Sequence, residues 1–353
     1  MRVAVAGAGA FGKNHLRVYR ELETAGLGIA LVAAVEPDAA RAAETSAKYA
    51  IPVFSTVEEL LAADLKLDAA TVAVPTVHHH AVASALLEAG LDLLVEKPLA
   101  TNLTEADDLI QRAEKRERIL QPGHLERFNP AVLAIEPQLR RPMFFESHRL
   151  SIFTPRALDV DVVLDLMIHD LDIVLTFAAS PVREVRAVGL PILSPKVDIA
   201  NVRVEFDSGC VANFTASRVS TERVRKLRFF EPRQYVSIDY ARQDLLVIRV
   251  DGGAAANVDA EIAAGRVDPA TLAQLAASGH LSPGLSFAKP AVTPGEPLRL
   301  EIESFLDSVR TRQQPRVTAR QGRDALALAL EIQASMAAHA HRAGLEDFFA
   351  PGA

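Results

Sequence analysis

Short apolar runs alternate with helix-forming stretches through the first third of the chain. The apolar runs lie at residues 3–6, 29–35, 53, 69–74 and 91–95, and a sixth closes near residue 121. Helical patterns separate them, at residues 12–22, at residues 38–49, from residue 57 and up to residue 89. Continuous apolar strands separated by helices are typical of a parallel sheet covered on both faces. We therefore predict an α/β fold that begins with a doubly wound Rossmann domain.

A different pattern begins at residue 143. Segments rich in β-branched and aromatic residues recur at residues 143–153, 182–193, 201–219, 226–240 and 245–250. Several of them alternate apolar and polar positions, which is typical of a sheet with one covered face. Asp207, Ser208 and Gly209 have the composition of a hairpin turn. The pattern predicts a C-terminal α+β domain with a large, mostly antiparallel open sheet.

The rest of the chain completes the predicted architecture. Residues 251–294 are rich in alanine, glycine and proline, which indicates a long surface excursion with a short helix at residues 269–277. Residues 301–309 and 324–340 predict amphipathic helices that pack back on the domains, the C-terminal one on the first domain. A chain of 353 residues exceeds what one hydrophobic core usually serves. We place the domains at residues 1–122 and 123–353.

The composition narrows the class of protein. There are 45 acidic and 38 basic side chains, a net charge of -7, which argues against a nucleic-acid or anionic-membrane partner. The single cysteine, Cys210, excludes an intrachain disulfide, and no spacing of cysteine and histidine suggests a zinc site. No apolar run reaches the ~18 residues of a membrane span, and the first residues lead directly into a glycine motif. We expect a soluble cytoplasmic protein without a signal peptide.

The first apolar run is followed by a glycine motif that opens a helix. Gly7, Gly9 and Gly12 form G-x-G-x-x-G, with Ala10 and Phe11 inside it. The first glycine permits a tight turn, the second removes the Cβ that would block a pyrophosphate, and the third lets helix and strand pack closely. The helix N-terminus attracts phosphate. This context predicts a dinucleotide site.

An acidic residue ends the second strand. Glu36 follows the third glycine at roughly the 20-residue spacing where a carboxylate accepts hydrogen bonds from the ribose hydroxyls and repels a 2′-phosphate. The nearest arginine downstream is Arg41. We therefore predict NAD and not NADP as the cofactor.

Two further strand ends carry candidate residues. Pro75, Thr76 and His79 follow the run at residues 69–74, so we expect them beside the cofactor. Adjacent residues of the His78–His80 run point in different directions on a helix, so we predict no metal site there. Glu96 and Lys97 end the run at residues 91–95, where a lysine is a candidate for chemistry, although most lysines are solvated surface residues.

The combination of the glycine motif, Glu36 and the Glu96, Lys97, Pro98 string resembles the Gfo/Idh/MocA family of sugar and polyol dehydrogenases. The resemblance covers most of the chain. It implies that Lys97 lies against the nicotinamide and the substrate hydroxyl, and that the Lys97 to Pro98 bond is cis. Glu96 is implied as a cofactor contact.

A second family signature, Asp-x-x-x-His on a helix, is matched by Asp165 and His169. Positions four apart share one helix face, so both side chains can point into one cleft. The resemblance implies that His169 is the acid/base on the reacting hydroxyl, that Asp165 is a supporting polar group, and that Lys97 is the charged donor. It also implies a helix at residues 160–178 at the rim of the open sheet.

The string from His124 to Pro130 is similar to the subgroup of the family that oxidises UDP-N-acetylhexosamines. It implies that His124, Arg127 and Asn129 approach the sugar or the nicotinamide, and Asn129 is equally suited to cap a helix. A diphosphate needs cationic partners, preferably arginine. Arg156 is the candidate for that role among the basic residues near the sheet.

The implied reaction is oxidation of a sugar-ring secondary hydroxyl to a ketone with NAD as the hydride acceptor. UDP-N-acetylglucosamine oxidised at C3 is the first expectation for the substrate. A free sugar or polyol such as inositol is the enzymatic alternative, and a nucleotide-sensing regulator without chemistry is the other. The resemblance also implies a homodimer or homotetramer.

Overall fold

The structure, a computed structural model, describes residues 1–154, 160–250, 270 and 285–345. Within these residues, no helix has the length and apolar content to cross a membrane. The contacts divide the chain into two units. The first unit comprises Met1–Phe128 and Glu296–Leu328, and the second comprises Asn129–Gly295 and Ala329–Ala353. The first division falls after Phe128, near the boundary that we place at residue 122, and Glu296–Leu328 returns to the first unit.

The first unit contains a parallel sheet of six strands in the order β3-β2-β1-β4-β5-β6. The strands are β1 (Arg2–Ala6), β2 (Ala30–Val35), β3 (Val53–Phe54), β4 (Ala69–Val72), β5 (Asp92–Glu96) and β6 (Leu120–Gly123). This is the doubly wound order, in which the direction of winding reverses between β1 and β4. Ligands of such sheets bind outside the carboxyl ends of the strands at that point.

Helices alternate with these strands, as predicted. They are α1 (Gly12–Thr24), α2 (Ala39–Tyr49), α3 (Val57–Ala62), α4 (His79–Glu88) and α5 (Leu103–Lys115). A 3-10 turn at Thr76–His78 precedes α4, and another at Leu125–Phe128 follows β6. Several helices begin at polar caps: Asp38 accepts a hydrogen bond from the Arg41 amide and Asn102 one from the Glu105 amide.

A late helix, α8 (Pro297–Thr311), belongs to the first unit. Its Ile302 and Phe305 are fully buried in the same apolar cluster as Val5 and Leu94 of the sheet and Leu16 of α1. The last helix, α9 (Ala319–Ala343), contains the division between the units, which falls after Leu328.

The second unit is built on an eight-stranded sheet in the order β14-β13-β12-β11-β7-β10-β9-β8. The strands are β7 (Phe144–Leu150), β8 (Val182–Leu190), β9 (Ile199–Phe206), β10 (Val211–Ser217), β11 (Val224–Glu231), β12 (Gln234–Asp239), β13 (Asp244–Val250) and β14 (Leu285–Ala288). All pairs are antiparallel except β7 with β10, so the prediction of a mostly antiparallel sheet is confirmed. Gly209, at φ +81°, makes the predicted turn between β9 and β10.

Three local predictions need correction or fall outside the described chain. Leu285–Ala288 pairs with β13 and is a strand, although we predicted a surface excursion through residue 294. The helix predicted at residues 160–178 is a π-helical segment, Val163–Met167, followed by α7 (Ile168–Ala178). The short helix predicted at residues 269–277 lies outside the described residues apart from residue 270. A short helix, α6 (Pro130–Ile135), opens the second unit.

Candidate active site

The glycine turn leaves β1 and enters α1 with close backbone packing. Gly7 has φ +95°, and a Cβ there would lie 2.6 Å from the Ala73 carbonyl oxygen. A Cβ on Gly12 would lie 1.9 Å from the carbonyl oxygen of Gly7. Any other residue at either position would therefore force the backbone apart. These two glycines are required by the turn itself.

Gly9 differs from these two glycines. A Cβ on Gly9 would have no neighbouring atom within 4 Å, so protein packing does not require glycine there. Beside it, Ala10 and Phe11 are exposed at the start of α1. The structure describes every residue of the first turn of α1, and none of them is acidic or caps the helix with its side chain. An uncapped helix N-terminus beside open space fits an anionic group such as a pyrophosphate.

Glu36 lies at the adjoining end of β2 and is only 4% exposed. Its Oε2 accepts a hydrogen bond from the Ala8 amide at 3.0 Å, and its Oε1 accepts from the Asp38 amide at 3.0 Å and from Nη2 of Arg41 at 2.8 Å. Burial raises the pKa of Glu36, but these hydrogen bonds outweigh it and hold the pKa below the ordinary value. The carboxylate is thus ionised and fixed beside the glycine turn.

The residues after β4 lie in a 3-10 turn. Pro75 precedes the turn, Thr76 begins it, and His79 begins α4. His79 is 1% exposed, with Nδ1 2.8 Å from the Pro98 carbonyl oxygen and Nε2 2.9 Å from that of Val74. Burial lowers the pKa of His79, so the neutral ring donates to one carbonyl at a time. Both nitrogens face backbone carbonyls, which leaves the carbon edge of the ring for the predicted contact with the cofactor.

The Glu96, Lys97, Pro98 string lies at the end of β5. The bond between Lys97 and Pro98 is cis. Glu96 is 8% exposed, and its Oε1 lies 2.7 Å from Nε2 of His15, a fully buried residue of α1. Lys97 is half-buried. The structure thus connects the helix of the glycine motif to the segment that carries Lys97, a link that the sequence motifs did not reveal.

His124 immediately precedes the 3-10 turn after β6 and Arg127 lies in it, at 1% and 3% exposure. Asn129 begins the second unit at 1% exposure. Its Oδ1 accepts a hydrogen bond from the Ala131 amide, and its Nδ2 donates to the Tyr240 carbonyl at 3.0 Å. These contacts favour the capping alternative for Asn129. Arg156 lies outside the described residues.

Asp165 and His169 belong to the second unit. Asp165 lies inside the π-helical segment and His169 in the first turn of α7. Both are half-buried. The π-helical turn is closed by a hydrogen bond from the Ile168 amide to the Val163 carbonyl, and such turns occur frequently at functional sites. The ideal α-helical spacing that we assumed for this pair does not hold over the whole interval.

The residue next to His169 holds a buried ion pair. Asp170 accepts hydrogen bonds from Nε and Nη2 of Arg149 at 2.7 and 3.1 Å, and the side chains are only 2% and 4% exposed. Arg149 also lies over the ring of Tyr240, 5.3 Å from its centroid. The pair therefore fixes the start of α7 to strand β7. No sequence pattern singled out Arg149.

Family models match both parts of the chain. Residues 1–124 match the oxidoreductase family with an NAD-binding Rossmann fold, and residues 131–233 match the C-terminal domain of the same family. A UDP-N-acetylglucosamine 3-dehydrogenase of Acidithiobacillus ferrooxidans is 32% identical over 343 residues, which are 97% of this chain and 99% of the relative.

The chain belongs to the Gfo/Idh/MocA oxidoreductase family.

Solved structures of other proteins agree with this fold. The structure of the Acidithiobacillus ferrooxidans 3-dehydrogenase superposes with a TM-score of 0.82 at 32% identity, covering 96% of this chain and 98% of that one. A levoglucosan dehydrogenase in complex with NADH has a TM-score of 0.78 at 17% identity, covering 96% and 97%, and shows the likeness of the fold. An inositol 2-dehydrogenase of Corynebacterium glutamicum is 30% identical over 213 residues, which are 56% of this chain and 58% of the relative. The predicted family, fold class, enzyme class and cofactor are confirmed.

Proposed function

We propose that this Gfo/Idh/MocA protein oxidises C3 of the N-acetylglucosamine ring in UDP-N-acetylglucosamine, or of a related UDP-sugar. The observation that carries the proposal is the match over nearly the whole of both chains to a 3-dehydrogenase of that nucleotide sugar. Membership of the family alone is compatible with many sugar substrates. A match through both units extends to the part of the chain in which we expect the substrate to bind.

NAD fits the first unit at the carboxyl ends of β1, β2, β4 and β5. Gly9 leaves the space that a pyrophosphate needs, the start of α1 supplies amide donors, and Glu36 offers carboxylate oxygens to the adenosine ribose. We propose that Gly7, Ala10, Phe11, Gly12, Pro75, Thr76, Glu96 and Lys97 complete this site. The chemistry that bound NAD supplies is acceptance of a hydride at C4 of the nicotinamide.

Proton chemistry falls to three residues. As the C3 hydrogen leaves as hydride, the imidazole of His169 takes the proton of the C3 hydroxyl, so that a ketone and a protonated His169 result. The ammonium group of Lys97 donates a hydrogen bond to the same oxygen and stabilises the charge that develops on it. Asp165 orients His169 from the preceding turn. The half-buried positions of Lys97, Asp165 and His169 are compatible with access to a bound ligand.

Substrate recognition is assigned to polar residues after β6 and to one arginine near the sheet. His124 and Arg127, which follow β6, approach the sugar, and Arg156 remains the predicted partner of the diphosphate. Asn129 is better explained as a helix cap, because both of its polar atoms bind backbone groups.

The decisive experiment is NADH formation at 340 nm across a panel of UDP-sugars and free polyols. Turnover of UDP-N-acetylglucosamine, with C3 as the carbon converted to a ketone, is the expected result. UDP alone should inhibit and should raise the unfolding temperature, because a ligand that binds only the native state stabilises it. Turnover of polyols without any effect of UDP would contradict the nucleotide-sugar proposal.

A free-polyol dehydrogenase is the second candidate. The similarity to an inositol 2-dehydrogenase of Corynebacterium glutamicum favours it, although that match covers 56% of the chain. The same panel separates the two candidates.

We further propose that the protein works in the cytoplasm as a homodimer or homotetramer. Phe144, Phe230 and Tyr235 lie on one face of the sheet in the second unit, half-buried, with Phe144 and Phe230 stacked at 5.5 Å between ring centroids. Phe145 and Phe229 fill the opposite, fully buried face. Partly exposed aromatic residues on an open face are typical of subunit contacts. A monomeric mass by light scattering at micromolar concentration would contradict the oligomer.

A further inference from the structure

Two buried histidines contact the residues on either side of Lys97. His15 of α1 lies against the side chain of Glu96, the residue before Lys97. His79 of α4 lies against the carbonyl of Pro98, the residue after it. The reaction proposed above gives neither imidazole a chemical step.

The contact made by His15 is short and shielded from water. Its Nε2 lies 2.7 Å from Oε1 of Glu96, with His15 fully buried and Glu96 8% exposed. The same carboxylate lies where a side chain on Gly123 of β6 would project, since a Cβ there would be 3.1 Å from Cδ and Oε1 of Glu96. The absence of a side chain at Gly123 therefore leaves the room in which Glu96 meets His15. A buried hydrogen bond to a carboxylate is stronger than a neutral one in water.

The contact made by His79 joins two turns of the backbone. Its ring lies between the carbonyl oxygens of Pro98 and Val74, at 2.8 and 2.9 Å. Val74 follows β4, and Pro98 follows β5. The neutral ring donates to one of the two carbonyls, and its rigid, buried plane fills the space between the two turns. His79 therefore determines where the backbone after Lys97 runs relative to the turn that begins at Thr76.

We propose that His15 and His79 are positioning residues that hold the backbone of Lys97 from its two sides. The inference rests on the proposed function, because Lys97 is there the donor to the reacting oxygen. Lysine has a flexible four-carbon stem, so the position of its ammonium group depends strongly on a fixed backbone. Because His15 belongs to α1 and His79 to α4, the helices that follow the glycine motif and the turn after β4 also orient the ammonium group of Lys97.

The test is the pair of variants His79→Ala and His15→Ala, compared with His78→Ala. His78 is exposed and lies next to His79 in sequence, which makes it a matched control. We expect His79→Ala and His15→Ala each to lower kcat by roughly 10-fold to 100-fold, the range in which displacement of a catalytic group by about 1 Å falls. KM for NAD should change less than about threefold, since the proposed cofactor contacts at the glycine turn and at Glu36 stay in place. His78→Ala should keep wild-type kcat.

A second readout does not depend on turnover. Hydrogen–deuterium exchange of the peptide covering residues 95–101 should be faster in His79→Ala and His15→Ala than in the wild type, and unchanged in His78→Ala. If His79→Ala does not fold, His79→Gln replaces it, because its amide can still donate to one of the two carbonyls. We expect kcat and the exchange rate of His79→Gln to lie between the values of the wild type and those expected for His79→Ala.

The possible outcomes are distinct. Unchanged exchange at residues 95–101 in the two histidine variants, or equal effects of His78→Ala and His79→Ala, would overturn the positioning role. A rise of KM for NAD as large as the expected fall in kcat, with kcat itself unchanged, would also overturn the positioning role. If the wild type turns over no substrate in the panel, the proposed function fails, while the exchange measurement still decides whether the two histidines hold this segment.

Discussion

The functional groups of the two units are held by different kinds of contact. In the first unit, the candidate cofactor residues lie on the turns after parallel strands. Hydrogen bonds link one turn to the next, such as the bond that the Ala8 amide donates to the Glu36 carboxylate. In the second unit, His169 lies at a junction between a π-helical turn and α7, beside an ion pair that reaches strand β7. Turns at strand ends are defined by short sequence motifs. The junction in the second unit depends on a partner far away in the sequence.

This difference predicts which unit is more sensitive to the loss of a single anchor. Arg149→Met should destabilise the protein by about 3–5 kcal/mol, because it leaves the carboxylate of Asp170 buried without its partner. Denaturant unfolding measures the loss. The double variant Arg149→Met/Asp170→Leu should recover most of it, since no unpaired charge then remains.

Arg299→Met is the matched control from the first unit. Arg299 pairs with Glu303 on the surface of α8, where the two side chains are 38% and 36% exposed. Its loss should cost only about 0.3–0.5 kcal/mol. Equal costs for Arg149→Met and Arg299→Met would show that the buried pair is not the anchor of α7.

The next largest effects concern the proposed chemistry, which draws on both units. Lys97→Ala and His169→Ala should each lower kcat by about 100-fold or more, on the usual scale of oxyanion stabilisation and acid–base catalysis. NADH binding, followed by fluorescence titration, should stay near that of the wild type. Lys48→Ala, at an exposed position of α2, provides the control. Near-normal turnover of either active-site variant would remove that residue from the mechanism.

A smaller effect is expected from Glu36 in the first unit. Glu36→Gln keeps the shape of the side chain but loses the charge that repels a 2′-phosphate, so the preference for NAD over NADP should fall by about tenfold, the value of one charged hydrogen bond. The ratio of kcat/KM for the two cofactors measures it. Because the pKa of Glu36 is held below its ordinary value, the carboxylate stays ionised from about pH 6 to 9, and wild-type selectivity should be constant over that range. A preference that Glu36→Gln leaves unchanged would assign selectivity to another residue.

The sequence predicted the first unit more completely than the second, for a physical reason. Glycine is required at Gly12 by its contact with Gly7 and at Gly7 by its φ of +95°, and both requirements arise within the motif itself. The pairing of β14 with β13 and the contact between Arg149 and Asp170 bring together residues that no local pattern relates. The π-helical turn around Asp165 was likewise not predicted, because the four-residue spacing of Asp165 and His169 indicates an α-helix.

The same limit applies to α8 and to His15. An amphipathic pattern indicates that one face of α8 is buried, but it does not indicate which sheet covers that face. The packing of α8 in the first unit could therefore not be derived from the sequence. His15 lies one helical turn before Tyr19, on the buried stripe of α1, and no sequence motif singled it out. Its partner, Glu96, could not be identified without the structure.

The smallest expected effect separates the two interpretations of Asn129. Asn102 and Asn129 both cap helices, of the first and the second unit, and each accepts a hydrogen bond from a backbone amide. Replacing a cap by alanine costs about 0.5–2 kcal/mol. We expect Asn129→Ala to reach the upper part of that range, because it also loses the bond to Tyr240 at a buried site, and Asn102→Ala the lower part. Neither variant should change KM for the sugar substrate. If Asn129→Ala raised that KM tenfold while Asn102→Ala did not, Asn129 would belong to the substrate site and the cap would be its secondary role.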